Sequence, residues 1–364
     1  MKLPALVAGI ALVAIACSGG GATAPAPTPA ATPLGTPSPS VATTAKPVPS
    51  PTSIAVLPGE PWIVYLGPVE GGAGIRIIGT DGTGDRWLFP DVKIPKDGWQ
   101  AHADWSPDGT RLAFASDDPA DPPGGDITRD LWVGDADGAN ARRVFDCVAP
   151  CLEAEEPAWS PDGRMLAFAT WGPQPASLAV LDLATGSISL IVTVDHDADA
   201  FRRPRWSPDG HRIVLEHQTW TGGADDQIVD SVIGIVDLDA ASPRFTPITE
   251  PAMWATYPDW HPTEDRIVFS TRPWSELDDG PSNLYTIRPD GSEMTALTDF
   301  AKGQSRTVQP RWTPNGKQII FTKIEGTGFG SPTMAIIDAD GTGLRSATGD
   351  AWLFGTHPRL RPTP

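Results

Sequence analysis

The chain has 364 residues and a formal net charge of −18, with 20% charged and 40% hydrophobic residues. That length fits one large domain or two ordinary ones plus a tail, and the acidic balance, with no local block of Lys or Arg, argues against a nucleic acid partner. Forty Pro and 37 Gly against three Tyr and five Met describe a turn-rich chain without long helical periodicity, so an all-β domain is expected.

Residues 1–17, MKLPALVAGIALVAIAC, place one Lys ahead of an apolar run and small residues before a cysteine. This is the layout of an export signal, too short and wrongly flanked for a spanning helix. Ala14, Ile15, Ala16 and Cys17 resemble the bacterial lipobox, although Leu is usual where Ala14 stands. The resemblance implies that Cys17 becomes the lipidated first residue of an exported, membrane-anchored lipoprotein, on the periplasmic or cell-surface side. Cleavage near Ala16 as an ordinary signal peptide, leaving Cys17 a plain thiol, is the alternative. Residues 18–57 are dominated by Gly, Ala, Thr, Pro and Ser, and Lys46 is their only charge. Such a segment cannot bury a core, and its prolines favour extended conformations of roughly 3.1 Å per residue, a tether on the order of 100 Å. A flexible spacer with no length requirement fits equally.

From residue 58 to the end one phrase recurs: WSPDG at Trp105, Trp159 and Trp206, WHPTE at Trp260, WTPNG at Trp312 and a decayed LRPTP at Leu360. The intervals are 54, 47, 54, 52 and 48 residues, and a period near 50 signals a propeller or solenoid. Each phrase precedes an apolar strand such as RLAFAS or RIVFST, then a loop of varying length, then two strands around a tight turn, as in LWVGDADGANARRVF. The unit is a four-stranded meander. Ser-Pro-Asp-Gly suits a type I turn, and the Trp before it offers apolar area between neighbouring sheets. The first unit, PWIVYLG with IRIIGTDGTGDRWLF, lacks an opening phrase, and the last, HPRLRPTP, is only an opening phrase. Joined, the two ends complete one blade and close a ring of six four-stranded antiparallel blades, leaving no exposed sheet edge.

These repeats resemble the TolB-like, WD-related propeller family, whose blades carry a WSPDG phrase and a DxDG-like hairpin, and the resemblance covers residues 58–364. It implies a six-bladed propeller. As to function it implies less, because the family includes periplasmic scaffolds that bind proteins, propellers fused to peptidase domains, and oligogalacturonide lyases that hold a metal in the channel.

In this blade order the Ser-Pro-Asp-Gly and Asp-Ala-Asp-Gly turns lie at one end, and the variable loops and blade crossovers at the other, where binding surfaces usually sit. Cys147 and Cys151, four apart in one crossover, suit a small disulfide loop in an exported chain; a zinc half-site is the alternative, but no second cysteine pair exists. Trp99, Trp171, Trp220, Trp254 and Trp274 fall at the loop end, able to stack on sugars, anchor a protein or simply cover the blade tops.

Equal offsets from the marker give rings around the axis. Three before it stand His102, Glu156, Arg203, Tyr257, Gln309 and His357, the expected ligand-binding ring of the channel. Gln309, His357, His102 and Glu156 occupy four successive blades and could converge on a divalent metal, with Arg203 and Tyr257 opposite, suited to a ligand carboxylate or hydroxyl. The ring resembles the histidine-rich channel of the lyases but lacks their three histidines; His196, His211, His217 and His261 are not at this offset. Polar residues around a water-filled channel are the bland alternative.

There is no GxSxG, HExxH or P-loop pattern. The turns at Asp135 and Asp338 lack the third ligand and closing Glu of a calcium loop, and the ring-closing strand leaves no room for an appended hydrolase. The expected function is a non-catalytic, monomeric binding scaffold that presents its loop face to an envelope protein, peptide or glycan. No cofactor is expected and the lipid anchor is its sole membrane contact. The runner-up is a metal-dependent lyase acting on uronic-acid sugars at the channel mouth, and a structural spacer is the third class.

Overall fold

In each repeat the alternation of apolar and polar residues commits one strand face to a neighbouring sheet, and the turn after the marker Trp fixes where the chain reverses. The computed structural model describes residues 61–362, apart from 121–127, 149–150, 173–175, 195–198, 222–227, 272–280, 302, 327–330 and 349–354. Residues 1–60, and with them Cys17 and the tether, lie outside the described residues, as does Trp274.

The strands pair as six four-stranded antiparallel meanders, here called blades. Blade 1 runs Thr356–Leu360, Trp62–Val69, Gly72–Gly79 and Arg86–Trp87 from the inner strand outward. Blade 2 comprises Gly98–Trp105, Arg111–Asp117, Arg129–Asp135 and Arg142–Phe145. Blade 3 comprises Glu153–Trp159, Met165–Trp171, Ser177–Asp182 and Ile188–Thr193. In blade 4 the strands are Asp199–Trp206, Arg212–Trp220, Ile228–Asp237 and Phe245–Pro247. Blade 5 takes Ala255–Trp260, Ile267–Thr271, Leu284–Ile287 and Thr295–Ala296, and blade 6 Ser305–Trp312, Gln318–Glu325, Pro332–Asp338 and Arg345–Ser346. Short parallel contacts join blades 1 and 2 and blades 2 and 3. The all-β expectation holds, with one 3-10 turn, Pro251–Met253, and no α-helix among the described residues.

Closure runs through blade 1, whose inner strand comes from the C-terminal stretch: Ile63 pairs with Leu360 and Val64 with Arg359. The ends of the wheel are sewn further by Arg361, whose backbone N–H donates to Trp62 O (2.8 Å) and whose Nε donates to Gly109 O (2.8 Å). The core lies between blades, in apolar clusters built on the marker tryptophans and the second strands, such as Trp159 with Leu166 and Phe168. Several marker indoles reach back to the previous blade: Trp105 Nε1 donates to Arg359 O (3.3 Å), Trp159 Nε1 to Asp104 O (3.1 Å) and Trp206 Nε1 to Ala158 O (3.1 Å).

The Ser-Pro-Asp-Gly turn is closed by its own side chains. Ser106 Oγ donates to Asp108 Oδ1 (2.6 Å) and accepts from Arg111 N (2.9 Å), while Gly109 N donates to Ser106 O (2.8 Å). Gly109 has φ +64°, and a Cβ there would stand 2.4 Å from Pro362 O, a backbone atom just past the closing strand. Gly109→Ala therefore strains both the turn and the closure, and a loss of about 1–3 kcal/mol in denaturant unfolding is expected; an unchanged midpoint would show that the closing segment moves aside freely.

The candidate channel site and the loop-bearing end

The inner strands are not plain ladders. In each, the register slips three residues before the marker, so that two residues oppose one on the next strand: His102 and Ala103 face Phe114, Glu156 and Pro157 face Phe168, and Arg203 and Pro204 face Leu215. Blades 5, 6 and 1 repeat this with Tyr257, Gln309 and His357, each followed by Pro. These are β-bulges, and proline suits them because it has no ladder N–H to lose. The first bulge residue takes a left-handed conformation in all six blades, with φ between 55° and 59°. For residues other than glycine this costs on the order of 1–2 kcal/mol each, so tertiary packing holds them there. The bulge re-aims the chain, and all six lead residues line one cleft of about 320 Å³, counted out to open solvent, whose enclosed part admits about one water-sized group.

Within the cleft most of these side chains are already committed. Glu156 accepts the Arg203 backbone N–H (2.5 Å). The Arg203 guanidinium lies 3.8 Å from the Tyr257 ring centroid and donates to the fully buried Glu216 (2.7 Å). Burial first, and the Glu216 charge close by, push the Tyr257 phenol up. Arg203 and Tyr257 thus engage each other, where the sequence suggested that both awaited a ligand; Glu216, on the second strand of blade 4, is the reason. Gln309 Nε2 stands 2.8 Å from His357 Nε2, and Gln309 Oε1 accepts from His357 N and Thr322 Oγ1. Burial, then nearby positive charges, hold both His102 and His357 well below the usual imidazole range, so at neutral pH the Gln309 amide donates to a neutral ring.

The metal expectation can be tested on these contacts. His102 Nδ1 is buried without a hydrogen-bond partner, and His102, Glu155 and Glu156 offer atoms within 4.8 Å of one another. Against this, Glu155 already binds Arg129 and Arg202, Glu156 lies against Arg203, and the Gln309 acceptor is spent. The charges of Arg129, Arg203, Arg202 and Arg205 that depress His102 would repel a dication equally. The residues present do not fit a divalent metal. A second acidic trio, Asp118, Asp130 and Asp146, already holds a cation: Arg143 Nη1 lies 3.2, 2.8 and 3.0 Å from the three carboxylates.

At the loop-bearing end, where the inner strands begin, the tryptophans form part of a charged row that sequence reasoning missed. Arg129 stacks over Trp99 (4.1 Å) and pairs with Asp117 (2.9 Å), Glu153 (3.5 Å) and Glu155. Arg202 pairs with the same Glu155 (2.6 Å) and stacks over Trp171 (4.6 Å), whose ring meets Trp220 edge-on at 5.8 Å. Trp99, Trp171, Trp220 and Trp254 are all half-buried, and Trp254 ends the 3-10 turn with φ 50°. Cys147 and Cys151 form a disulfide at this end, and Cys147 N donates to Asp130 Oδ1 (2.8 Å). No spacing rule marks Arg129 and Arg202 as neighbours of one carboxylate, since they come from different blades.

Residues 124–351 match the family model of the TolB β-propeller domain. The chain belongs to the TolB β-propeller family. An uncharacterized protein of Agrobacterium fabrum is 25% identical over 169 residues, 45% of this chain and 53% of that protein. The Tol-Pal system protein TolB of Xanthomonas oryzae pv. oryzae is 34% identical over 82 residues, 22% of this chain and 17% of that one. The chain thus matches about half of the first relative's length and under a fifth of the second's. Among solved structures, TolB from Acinetobacter baumannii superposes with a TM-score of 0.58 at 15% identity, covering 83% of this chain and 67% of that one; at that identity the likeness is one of fold. No helix among the described residues is long and apolar enough to cross a membrane.

Proposed function

We propose that this TolB-family propeller is an exported, non-catalytic binding scaffold, tethered through residues 18–57 and lipidated at Cys17, whose loop-bearing end holds an envelope protein or peptide. One observation carries the reading: the Trp99–Arg129–Glu155–Arg202–Trp171–Trp220 row spans blades 2 to 4 at that end. Half-exposed tryptophans held by arginines are the residue types that dominate protein interfaces, and they are pre-ordered here, so little side-chain entropy is lost on docking. Membership of the family supports a protein-binding role. The alternative lyase reading needs a dication and room for a sugar ring, and the arginine-rich, narrow cleft favours neither.

A Trp171→Ala, Trp220→Ala double variant is expected to lose at least about 30-fold in affinity for the partner captured from envelope extract, the effect of removing a buried aromatic anchor. Far-ultraviolet circular dichroism checks that the variant folds. A folded variant that captures the same partner as well as wild type would remove the row from the interface.

A further inference from the structure

The residue just before each marker occupies a second equal offset along the inner strands. In blade order this second ring is Arg359, Asp104, Ala158, Arg205, Asp259 and Arg311, and its three arginines line the cleft. The two aspartates are largely spent. Asp104 Oδ2 accepts Trp159 N and Asp259 Oδ2 accepts Trp312 N, both at 2.9 Å, leaving Oδ1 of Asp104 for Arg359 (2.5 Å) and of Asp259 for Arg205 (3.8 Å).

The arginines remain under-served. Arg205 and Arg311 are each 6% exposed. Arg205 Nε, though 3.8 Å from Asp259 Oδ1, and Arg359 Nη2 are buried donors without a hydrogen-bond partner. Arg311 Nη1 meets only the carbonyls of Pro310 (2.9 Å) and Pro258 (3.4 Å), and among the described residues no carboxylate pairs with it. A guanidinium carries five N–H donors, and burying it unpaired is costly. Burial and then the Arg359 charge bring Arg205 down to about 10; burial and then the Arg205 and Arg359 charges pull Arg311 well below the usual arginine value. Glu156, nearby, is taken by Arg203. Three cations therefore face two carboxylates, and at Ala158 the ring lacks a long side chain.

We propose that Arg205, Arg311 and Arg359 form a binding site for a single carboxylate group, one oxygen of which takes the water-sized enclosed space while the remainder lies in the open part of the cleft. The group sits among the three guanidinia that line the cleft, accepts the Arg205 Nε–H and Arg359 Nη2–H, and supplies Arg311 with a paired carboxylate. Its source is either a free small acid or the carboxylate of a partner chain. The proposal does not rest on the loop-face reading, because acetate alone probes it.

The test follows thermal unfolding of the full-length protein as sodium acetate replaces sodium fluoride at constant ionic strength, with acetamide as the uncharged control. A saturable rise in midpoint with acetate and none with acetamide is expected, since a ligand that binds only the folded state stabilises it. Arg311→Gln is expected to raise the half-saturating concentration at least about 30-fold. Arg205→Gln, which removes one of the two donors offered to the group, is expected to weaken the acetate response likewise. Equal responses to acetate and acetamide overturn the proposal, as does an Arg311→Gln variant that responds to acetate like wild type. A peptide with a free C-terminus, compared with its amidated twin, separates the two sources: preference for the free form over acetate assigns a partner chain, and equality with acetate assigns a small acid.

Discussion

Glu216→Ala is expected to lower the unfolding free energy by about 3–5 kcal/mol, the cost of breaking a buried ion pair from one side. Its carboxylate is fully buried and serves five groups: Arg203 (2.7 Å), Thr256 Oγ1 (2.5 Å), Ser231 Oγ (2.9 Å), Tyr257 N (3.2 Å) and Gln218 Nε2. Removing it leaves the Arg203 guanidinium in the channel wall with Glu156 as its one remaining paired carboxylate among the described residues. With about 2 cal/mol/K of unfolding entropy per residue over a domain of roughly 300 residues, the midpoint falls by about 5–8 °C. Adding Arg203→Met to a Glu216→Leu variant removes both charges and recovers much of that loss. A single variant within about 1 kcal/mol of wild type would mean that water or a shifted Glu156 replaces the carboxylate at little cost.

A comparable loss, again about 3–5 kcal/mol at neutral pH, is expected for Arg129→Met, and this one carries a pH signature. One guanidinium there pairs with three carboxylates, Asp117, Glu153 and Glu155. Burial already raises Asp117 even with Arg129 beside it; without that charge it rises further. A carboxyl whose folded-state pKa lies above its unfolded value binds more protons when folded, so its penalty is full at neutral pH and fades as pH falls through the folded value towards the unfolded one near 4. The stability gap between wild type and variant should therefore narrow from pH 7.5 to pH 5, read as denaturant midpoints. A gap of equal size at both values would mean that Asp117 is rescued by solvent once Arg129 is gone.

The two networks also separate what a repeat can reveal from what it cannot. His102, Glu156, Arg203, Tyr257, Gln309 and His357 line one cleft because equal offsets in equivalent blades map to equivalent positions, which the marker spacing alone predicts. The same equal-offset rule applied at the residue before the marker picks out Arg205, Arg311 and Arg359, which also line the cleft, although the intervening bulge breaks the simple alternation that would have placed them there. The bulge was legible only as a hint, the proline that follows five of the six ring residues. What each ring residue does was not legible. Arg203 looked like a ligand-facing group and is held by Glu216, thirteen residues away on the neighbouring strand, while Glu155 joins Arg129 and Arg202 from two other blades.

The sequence by itself determined the repeat, the closure of blade 1 by the C-terminal strand and the membership of the ring, because turn chemistry, alternation and period are local properties written once per blade. The tertiary structure decided the charge pairing: which cations face which carboxylates, and hence why the ring carboxylates are engaged by arginines while, among the described residues, no carboxylate pairs directly with Arg311. That outcome depends on distances between side chains from different blades, set by burial and by the bulge, and Coulomb energy in a poorly solvated channel changes steeply over those few ångströms.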